Sequence, residues 1–394
     1  SKSVDTKPIS IKTFDTPAGA DPSVSAEQGG NGFTGEGWTT GPTDYNVYGD
    51  PKAVKGGSIS WSIPDFPAAI RAYGKDENSY YTRMAQNMIY ERPLGQDPIT
   101  EEFVPYLCTH WKISEDKMKF TFRINPNARW ADGKPVIADD YVATWKLMSD
   151  PTTLSGTNDF YTDNFEAPVA ESKYIFSIKA KKLGWIYFDV AAGVKILPAH
   201  IIGGITGKEY IEKYNYDVVP GSGPYYIKKE DVEKGRSITM RRRSDYWGEK
   251  ERFSMGLNNF DVFRTEVIQD ETLMLEKFKK GETDVYAFQR AQWWAEKSDF
   301  DDVKRGLVVK KKIYNKQPAG QSGLALNMRK WPFDDQRVRE AFGKLYDRTK
   351  FNEKLFFNAY KPQKSFFTGT PYENTRNVAV EFDLDGAIKL LEEA

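Results

Sequence analysis

At 394 residues the chain is too long for one small core and predicts two or more lobes. Lysine plus arginine balances aspartate plus glutamate at 56 each, so the whole-molecule charge gives no reason to expect nucleic acid or a bulk anionic ligand. No stretch approaches the ~20 apolar residues of a membrane span, and the single Cys108 has no partner for an internal disulfide and reads as a small buried hydrophobe.

Residues 1–50 are rich in Gly, Pro, Ser, Thr and Asp without an apolar period, which predicts an extended arm laid on the body. From Gly56 the pattern changes: Ile59, Trp61 and Ile63 alternate with polar residues as in a half-buried strand, and Pro64 ends it. Tyr81, Met84, Ala85, Met88 and Ile89 have helical spacing, with Asn78 or Ser79 as cap and Pro93 as stop. A turn over Ser114–Lys117 joins two strands, the second carrying Phe120, Phe122 and Ile124. Asp139–Met148 reads as a helix, Tyr174–Lys179 as a strand, and Pro198–Tyr214 as helix interrupted by glycine. Pro220-Gly-Ser-Gly-Pro224 is a tight turn feeding two β-rich runs, Tyr225–Lys229 and Ser237–Arg242, which turn at Gly235 and close on Tyr246 and Trp247. Asp270–Lys280 is an amphipathic helix stopped by Gly281, followed by a strand over Asp284–Phe288. Leu324–Asn327 reads as a further strand, Asp335–Tyr346 as a helix with an acidic start, and the last segment from Leu384 as a helix with an apolar stripe. Intermixed strands and helices give an α/β or α+β class.

Motifs for bond-making chemistry are weak. Gly30-Asn-Gly-Phe-Thr-Gly35 matches a dinucleotide fingerprint, yet no strand precedes it and no helix follows, so it reads as a loop. Ser114 and Lys117 have the Ser-x-x-Lys spacing of acylating enzymes but lie in a hairpin turn rather than at a helix start. His110 and His200 are ninety residues apart, without the clustered ligands of a zinc site, and read as structural hydrogen-bonders. The runs Arg241–Arg243 and Lys310–Lys312 read as solvated strand faces. Asp335 and Arg339, four apart, read as a cap plus a surface ion pair.

Several segments resemble a known family in the expected order. Tyr90-Glu-Arg-Pro-Leu94 is similar to its "YEPL" element and His110-Trp-Lys-Ile-Ser114 to its "sWkiS" strand. Ala128–Val136, Ala138–Val142 and Pro332–Ala341 resemble "akWsDGkPVtA", "eDvv" and "PFdDvrVReA", and Asp245-Tyr-Trp-Gly248 completes the turn-and-hairpin segment. On these residues the chain resembles the family 5 extracellular solute-binding proteins, the peptide-binding subunits of bacterial ABC importers. Leu355–Phe357, Tyr360 and Ser365–Phe367 are more like its YejA-type branch.

The resemblance implies a periplasmic-binding-protein-like bilobal fold of type II, cluster C. Lobe I would comprise 51–90 and 205–320, an inserted domain 91–204, and a second lobe would start at 321. It implies a periplasmic monomer, its signal peptide removed, that captures a peptide or peptide-like solute and delivers it to an inner-membrane permease. No cofactor, metal, nucleic acid or catalytic group is expected. In this family further residues follow the element that Leu384–Ala394 resembles, so the sequence reads as one part of a longer receptor whose second lobe is incomplete here. Ligand contacts are expected from Tyr73, Gly74 and Lys75 after the first strand, from Gln289, Arg290 and Ala291 with Trp293 and Trp294 as a wall, and from Gln321, Ser322 and Gly323. Arg290, with no acid beside it in sequence, is the candidate for pairing a ligand carboxylate. The alternative is a secreted hydrolase of sugars or peptides, suggested only by abundant aromatic and carboxylate side chains.

Overall fold

The computed structural model describes residues 7–313, 323–361 and 363–394. The chain divides into two compact units, Ser1–Tyr286 and Ala287–Ala394.

The first unit opens with β1 (Ser58–Ile63) and α1 (Tyr80–Ile89). Ser79 caps α1, its hydroxyl accepting the Thr82 N–H. There follow β2 (Leu94–Gln96), β3 (Phe103–Pro105), β4 (Cys108–Ile113), β5 (Lys119–Ile124), α2 (Ala138–Met148), α3 (Asn158–Asn164), β6 (Val169–Ala170) and β7 (Ile175–Lys179). Next come α4 (Tyr187–Gly193), α5 (Ala199–Ile202), α6 (Gly207–Lys213), β8 (Tyr225–Tyr226), β9 (Val232–Glu233), β10 (Ser237–Arg242), β11 (Val262–Val267) and α7 (Glu271–Lys279).

Two main sheets result. One has the order β1-β11-β10-β8 with β9 also on β10, and β1 and β11 run parallel although some two hundred residues separate them. The other, β4-β5-β7-β6, is antiparallel throughout. Each sheet has its own core. Phe122, Tyr141 and Phe176 pack beneath the antiparallel sheet, with the Tyr141 and Phe176 rings stacked at 4.0 Å. Ile70, Tyr81, Ile89, Tyr210, Tyr225, Ile238 and Met240 form the core of the mixed sheet. Fully burying one such side chain contributes about 1.5–3 kcal/mol, so these cores dominate the stability of the unit.

Residues of the segment 7–50 lie against this body. Ile9 bridges Arg243, the Phe14 N–H donates to the Asp132 carbonyl, Arg123 donates twice to the Gly29 carbonyl, and Thr39 pairs with Trp111 on the outer edge of β4. That pairing covers part of an otherwise open strand edge.

The second unit contains α8 (Ala291–Lys297), α9 (Asp301–Lys304), α10 (Gln336–Leu345), α11 (Arg348–Lys354) and α12 (Leu384–Glu392). α10 and α12 pack on each other, with Val338, Ala341 and Ala387 buried.

Three expectations need correction. Among the described residues the segment Asp284–Phe288 forms only one bridge, the parallel Val285 to Trp61. On the near side of that bridge a side-chain oxygen of Asp284 takes the Ser60 N–H at 2.7 Å in place of a backbone acceptor. Leu324–Asn327 is not a strand; it has no ladder partner among the described residues, and Leu324 is 74 % exposed. Asp335 does cap α10, but its ion pair is with Arg337, because Arg339 turns back to the carbonyls of Phe333 and Asp334.

Candidate functional site

The turn after β1 is built from within. Arg71 is buried and donates to the Lys75 carbonyl and the Asn215 side chain, which fixes the turn's backbone. Gly74 adopts φ +100°, and its N–H donates to Glu77 at 2.6 Å; a Cβ there would stand 2.8 Å from the Thr153 carbonyl. A side chain is thus excluded by both conformation and space. The Tyr73 hydroxyl donates to the Lys195 carbonyl at 2.7 Å, and burial pushes this phenol far above its usual range. Of the three residues expected to meet ligand, Tyr73 and Gly74 are committed to holding the turn. Lys75 is exposed.

In the second unit Arg290 is the N-cap of α8, and Gln289 is exposed beside it. Helical spacing brings two cations onto Trp293: Lys297 Nζ at 3.7 Å and the Arg290 guanidinium at 5.5 Å from the ring centre. Trp294 lies under Lys310 at 4.8 Å and Lys312 at 5.5 Å, with the Phe288 ring edge-on at 5.8 Å. Ala291 is half-buried and Gly323 exposed. Gln321 and Ser322 lie outside the described residues. Lys310–Lys312 is not a strand face, since Lys310 also pairs with Asp299 at 2.7 Å and the segment has no ladder partner among the described residues.

Sequence reading quoted Glu91 and Tyr246–Trp247 as separate motifs and missed that they meet. Glu91 is 7 % exposed and accepts from the Tyr246 hydroxyl at 2.5 Å and from Trp247 Nε1 at 3.0 Å. Burial pushes its carboxyl up to about 7. The glycine turn locks in beneath: the Gly223 N–H donates to the Ile89 carbonyl at 2.9 Å, and a Cβ on Gly221 would lie 1.9 Å from that same oxygen. The Arg241–Arg243 run overturns the solvated-face expectation. Arg241 forks onto Asp231, Arg242 pairs with Asp261, and Arg243, with 1 % of its side chain exposed, donates to the Gly223 carbonyl and pairs with Asp245. Asp231 and Asp261 are too far away in sequence to be recognised as the partners of Arg241 and Arg242.

The remaining candidates have structural employment. The Ser114 hydroxyl donates to Asp116 and accepts the Lys119 N–H, while Lys117 takes φ +58° in the turn. His200 Nε2 lies 2.6 Å from Asp132, and His110 packs edge-on to Phe33 of the arm. Gly30 and Gly35 of the fingerprint match sit in arm turns, Gly35 pressed on the His110 ring. Among the described residues no group of three or more His, Cys, Asp or Glu is arranged to hold a metal, and no helix is long and apolar enough to cross a membrane.

Residues 102–394 match the family model described as bacterial extracellular solute-binding proteins, family 5, middle. The chain belongs to this family. This family 5 chain is 30 % identical over 338 residues to the "Probable peptide-binding protein YejA" of Agrobacterium fabrum, covering 83 % of this chain and 53 % of the relative. It is 27 % identical over 361 residues to the peptidoglycan-binding protein YepA of the same organism, covering 87 % and 57 %. It thus spans about half the length of the curated relatives it matches. Among solved structures it resembles the oligopeptide-binding protein AppA of Bacillus subtilis, in complex with a nonapeptide, at TM-score 0.68 and 19 % identity over 87 % of this chain and 64 % of that one. It also resembles DppA of Helicobacter pylori, in complex with the peptide STSA, at 0.66 and 17 % over 86 % and 66 %. The fold of this family 5 chain is that of the type II periplasmic binding proteins.

Proposed function

We propose that the protein is the substrate-binding component of an ABC importer. It captures a peptide or peptide-like solute between two lobes in the periplasm and hands it, chemically unchanged, to a membrane permease. The observation that carries this reading is the family match over residues 102–394, supported by relatives named for peptide and peptidoglycan binding. The protein acts as a monomer, and ligand shifts an open–closed equilibrium by binding the closed form more tightly.

The lobes follow the sequence reading: 51–90 with 205–320, an inserted domain over 91–204, and a second lobe from 321. Separation of the antiparallel sheet, confined to residues 108–179, from a mixed sheet assembled from both flanks supports the insertion. Ligand is contacted by Lys75, with Tyr73 and Gly74 shaping its turn, by Gln289, Arg290, Ala291, Trp293 and Trp294, and by Gln321, Ser322 and Gly323.

The test is a thermal-shift screen against a peptide library, with chromatography of the peptides afterwards. A binding peptide at a hundredfold excess over Kd adds about 2.7 kcal/mol to the folded state and is recovered intact. Cleavage products would point to the hydrolase instead, and no response to any peptide or co-purified solute would remove the receptor reading.

A further inference from the structure

His110 and Arg123 stand directly opposite each other in the β4–β5 ladder. A register shift between Cys108 and His110 lets Thr109 share their side. The Thr109 hydroxyl oxygen lies 2.9 Å from His110 Nδ1 and accepts from the Arg123 guanidinium at 3.0 Å, so one oxygen joins an imidazole to a permanent cation. Because that oxygen already accepts from Arg123, its own proton is free to go to Nδ1 of a neutral ring. A protonated ring carries a proton on Nδ1 as well, and two cationic donors would then meet at one oxygen. Like charges directly opposite in a ladder destabilise it.

The same two side chains seat residues 29–39. Arg123 donates twice to the Gly29 carbonyl, at 3.0 and 2.9 Å. The Phe33 ring has the guanidinium 4.6 Å from its centre and the His110 ring edge-on at 5.0 Å. A Cβ on Gly35 would stand 2.6 Å from His110 Nε2, so the segment's backbone closes over the second ring nitrogen. Thr39 then exchanges both backbone hydrogen bonds with Trp111 at 2.9 Å. Around the ring the other charged or titratable groups are Cys108 and Lys112 on β4, Glu27 and Glu36 on the segment, and Tyr174 just before β7, while β7 itself sets Ile175 opposite Arg123. Lys112 lies over Trp38 at 4.5 Å. Among the described residues no carboxylate is within ion-pair distance of His110 or Arg123. Burial and then the Arg123 charge hold the imidazole below its usual range, in agreement with these surroundings.

We propose that His110 is an acid-sensitive latch: protonation of its ring sets a second cation against Arg123 and loosens residues 29–39 from the β4–β5 face. The seated segment favours the neutral ring, whereas release returns the ring to its ordinary range. Seating is therefore fully present above about pH 6.5 and weakens as pH falls below it. Release uncovers the outer edge of β4. The inference goes beyond the receptor reading, because it concerns the first unit alone and needs no peptide.

The experiment is hydrogen–deuterium exchange of the 394-residue chain at about pH 7.5 and about pH 5, corrected for intrinsic exchange rates and read at the Thr39 and Trp111 amides. Protection there should fall about two- to fivefold at the acid pH, while amides of the β5–β7 ladder keep or gain theirs. The carboxyls that hold other parts of the segment 7–50 do not titrate in this window: Lys173 holds Asp21 well below the ordinary range, and at Asp97 donors led by Tyr48 outweigh burial to the same effect. His110→Gln is neutral at every pH and should remove the pH dependence. His110→Lys should bring protection at pH 7.5 down to the level that the parent shows at pH 5. If the lysine variant fails to fold, the glutamine variant decides. Equal protection of Thr39 and Trp111 at both pH values in the parent, or a folded His110→Gln variant that keeps the parent's acid loss, overturns the proposal.

Discussion

The Tyr246 hydroxyl donates to the buried carboxylate of Glu91 at 2.5 Å across a sequence separation of 155 residues. This contact ties the end of α1 to the segment after β10, and Trp247 reinforces it through its indole N–H. Tyr246→Phe leaves the carboxylate with one donor fewer in a buried place. The expected loss is about 1–3 kcal/mol, measured by urea denaturation, with the fold retained.

Two buried carboxyls give stability a definite dependence on pH. Burial raises both Glu91 and Asp140 to about 7, above the ordinary carboxyl range of the unfolded chain. Between about pH 4.5 and 7 the folded state therefore holds protons that the unfolded state has released. Their stabilising contribution is full at the acid end of that window and is lost as pH rises through about 7, by an amount on the order of a few kcal/mol. The urea midpoint should be lower at pH 8 than at pH 5. Glu91→Gln should narrow that difference while costing about 1 kcal/mol at pH 5, since its amide cannot accept from both Tyr246 and Trp247. An unchanged difference would show that Glu91 does not titrate in this range.

Arg243 is the most buried member of a run that reads as exposed. Replacement by Met removes the partner of Asp245 and the donor to the Gly223 carbonyl. A loss of about 3 kcal/mol or more is expected in thermal or urea denaturation. A loss below ~0.5 kcal/mol would return the side chain to the solvated class.

Gly133 anchors the arm. Its φ is +97°, and a Cβ would lie 1.9 Å from the Phe14 carbonyl. Gly133→Ala should push Phe14 off the body and cost about 1–3 kcal/mol. Limited proteolysis would then cut faster within residues 7–50 than in the parent, while the rest of the first unit keeps its protection.

Arg290 is the proposed partner of a ligand carboxylate. Arg290→Ala should weaken binding of a free-carboxylate peptide about tenfold or more and leave its amidated counterpart nearly unchanged. Equal affinities of parent and variant for the acid would remove Arg290 from the site.

Local pattern was legible because it needs only neighbouring residues. Alternation at Ile59, Trp61 and Ile63 named β1, helical spacing and Ser79 named α1 to within a residue, and the turn at Ser114–Lys117 placed the β4–β5 hairpin. The ordered motifs from Tyr90 to Ala341 identified the family, since each is a run of neighbouring residues that can be matched without knowing its partners in space. Partnership between distant segments was not legible. The parallel pairing of β1 with β11, the acids that bury Arg241 and Arg242, and the commitment of the Tyr73 hydroxyl to Lys195 all join residues that no periodicity connects. Propensity and spacing act over a few residues of chain, whereas burial and charge pairing act over a few ångströms of space, and folding alone brings the second kind of neighbour together.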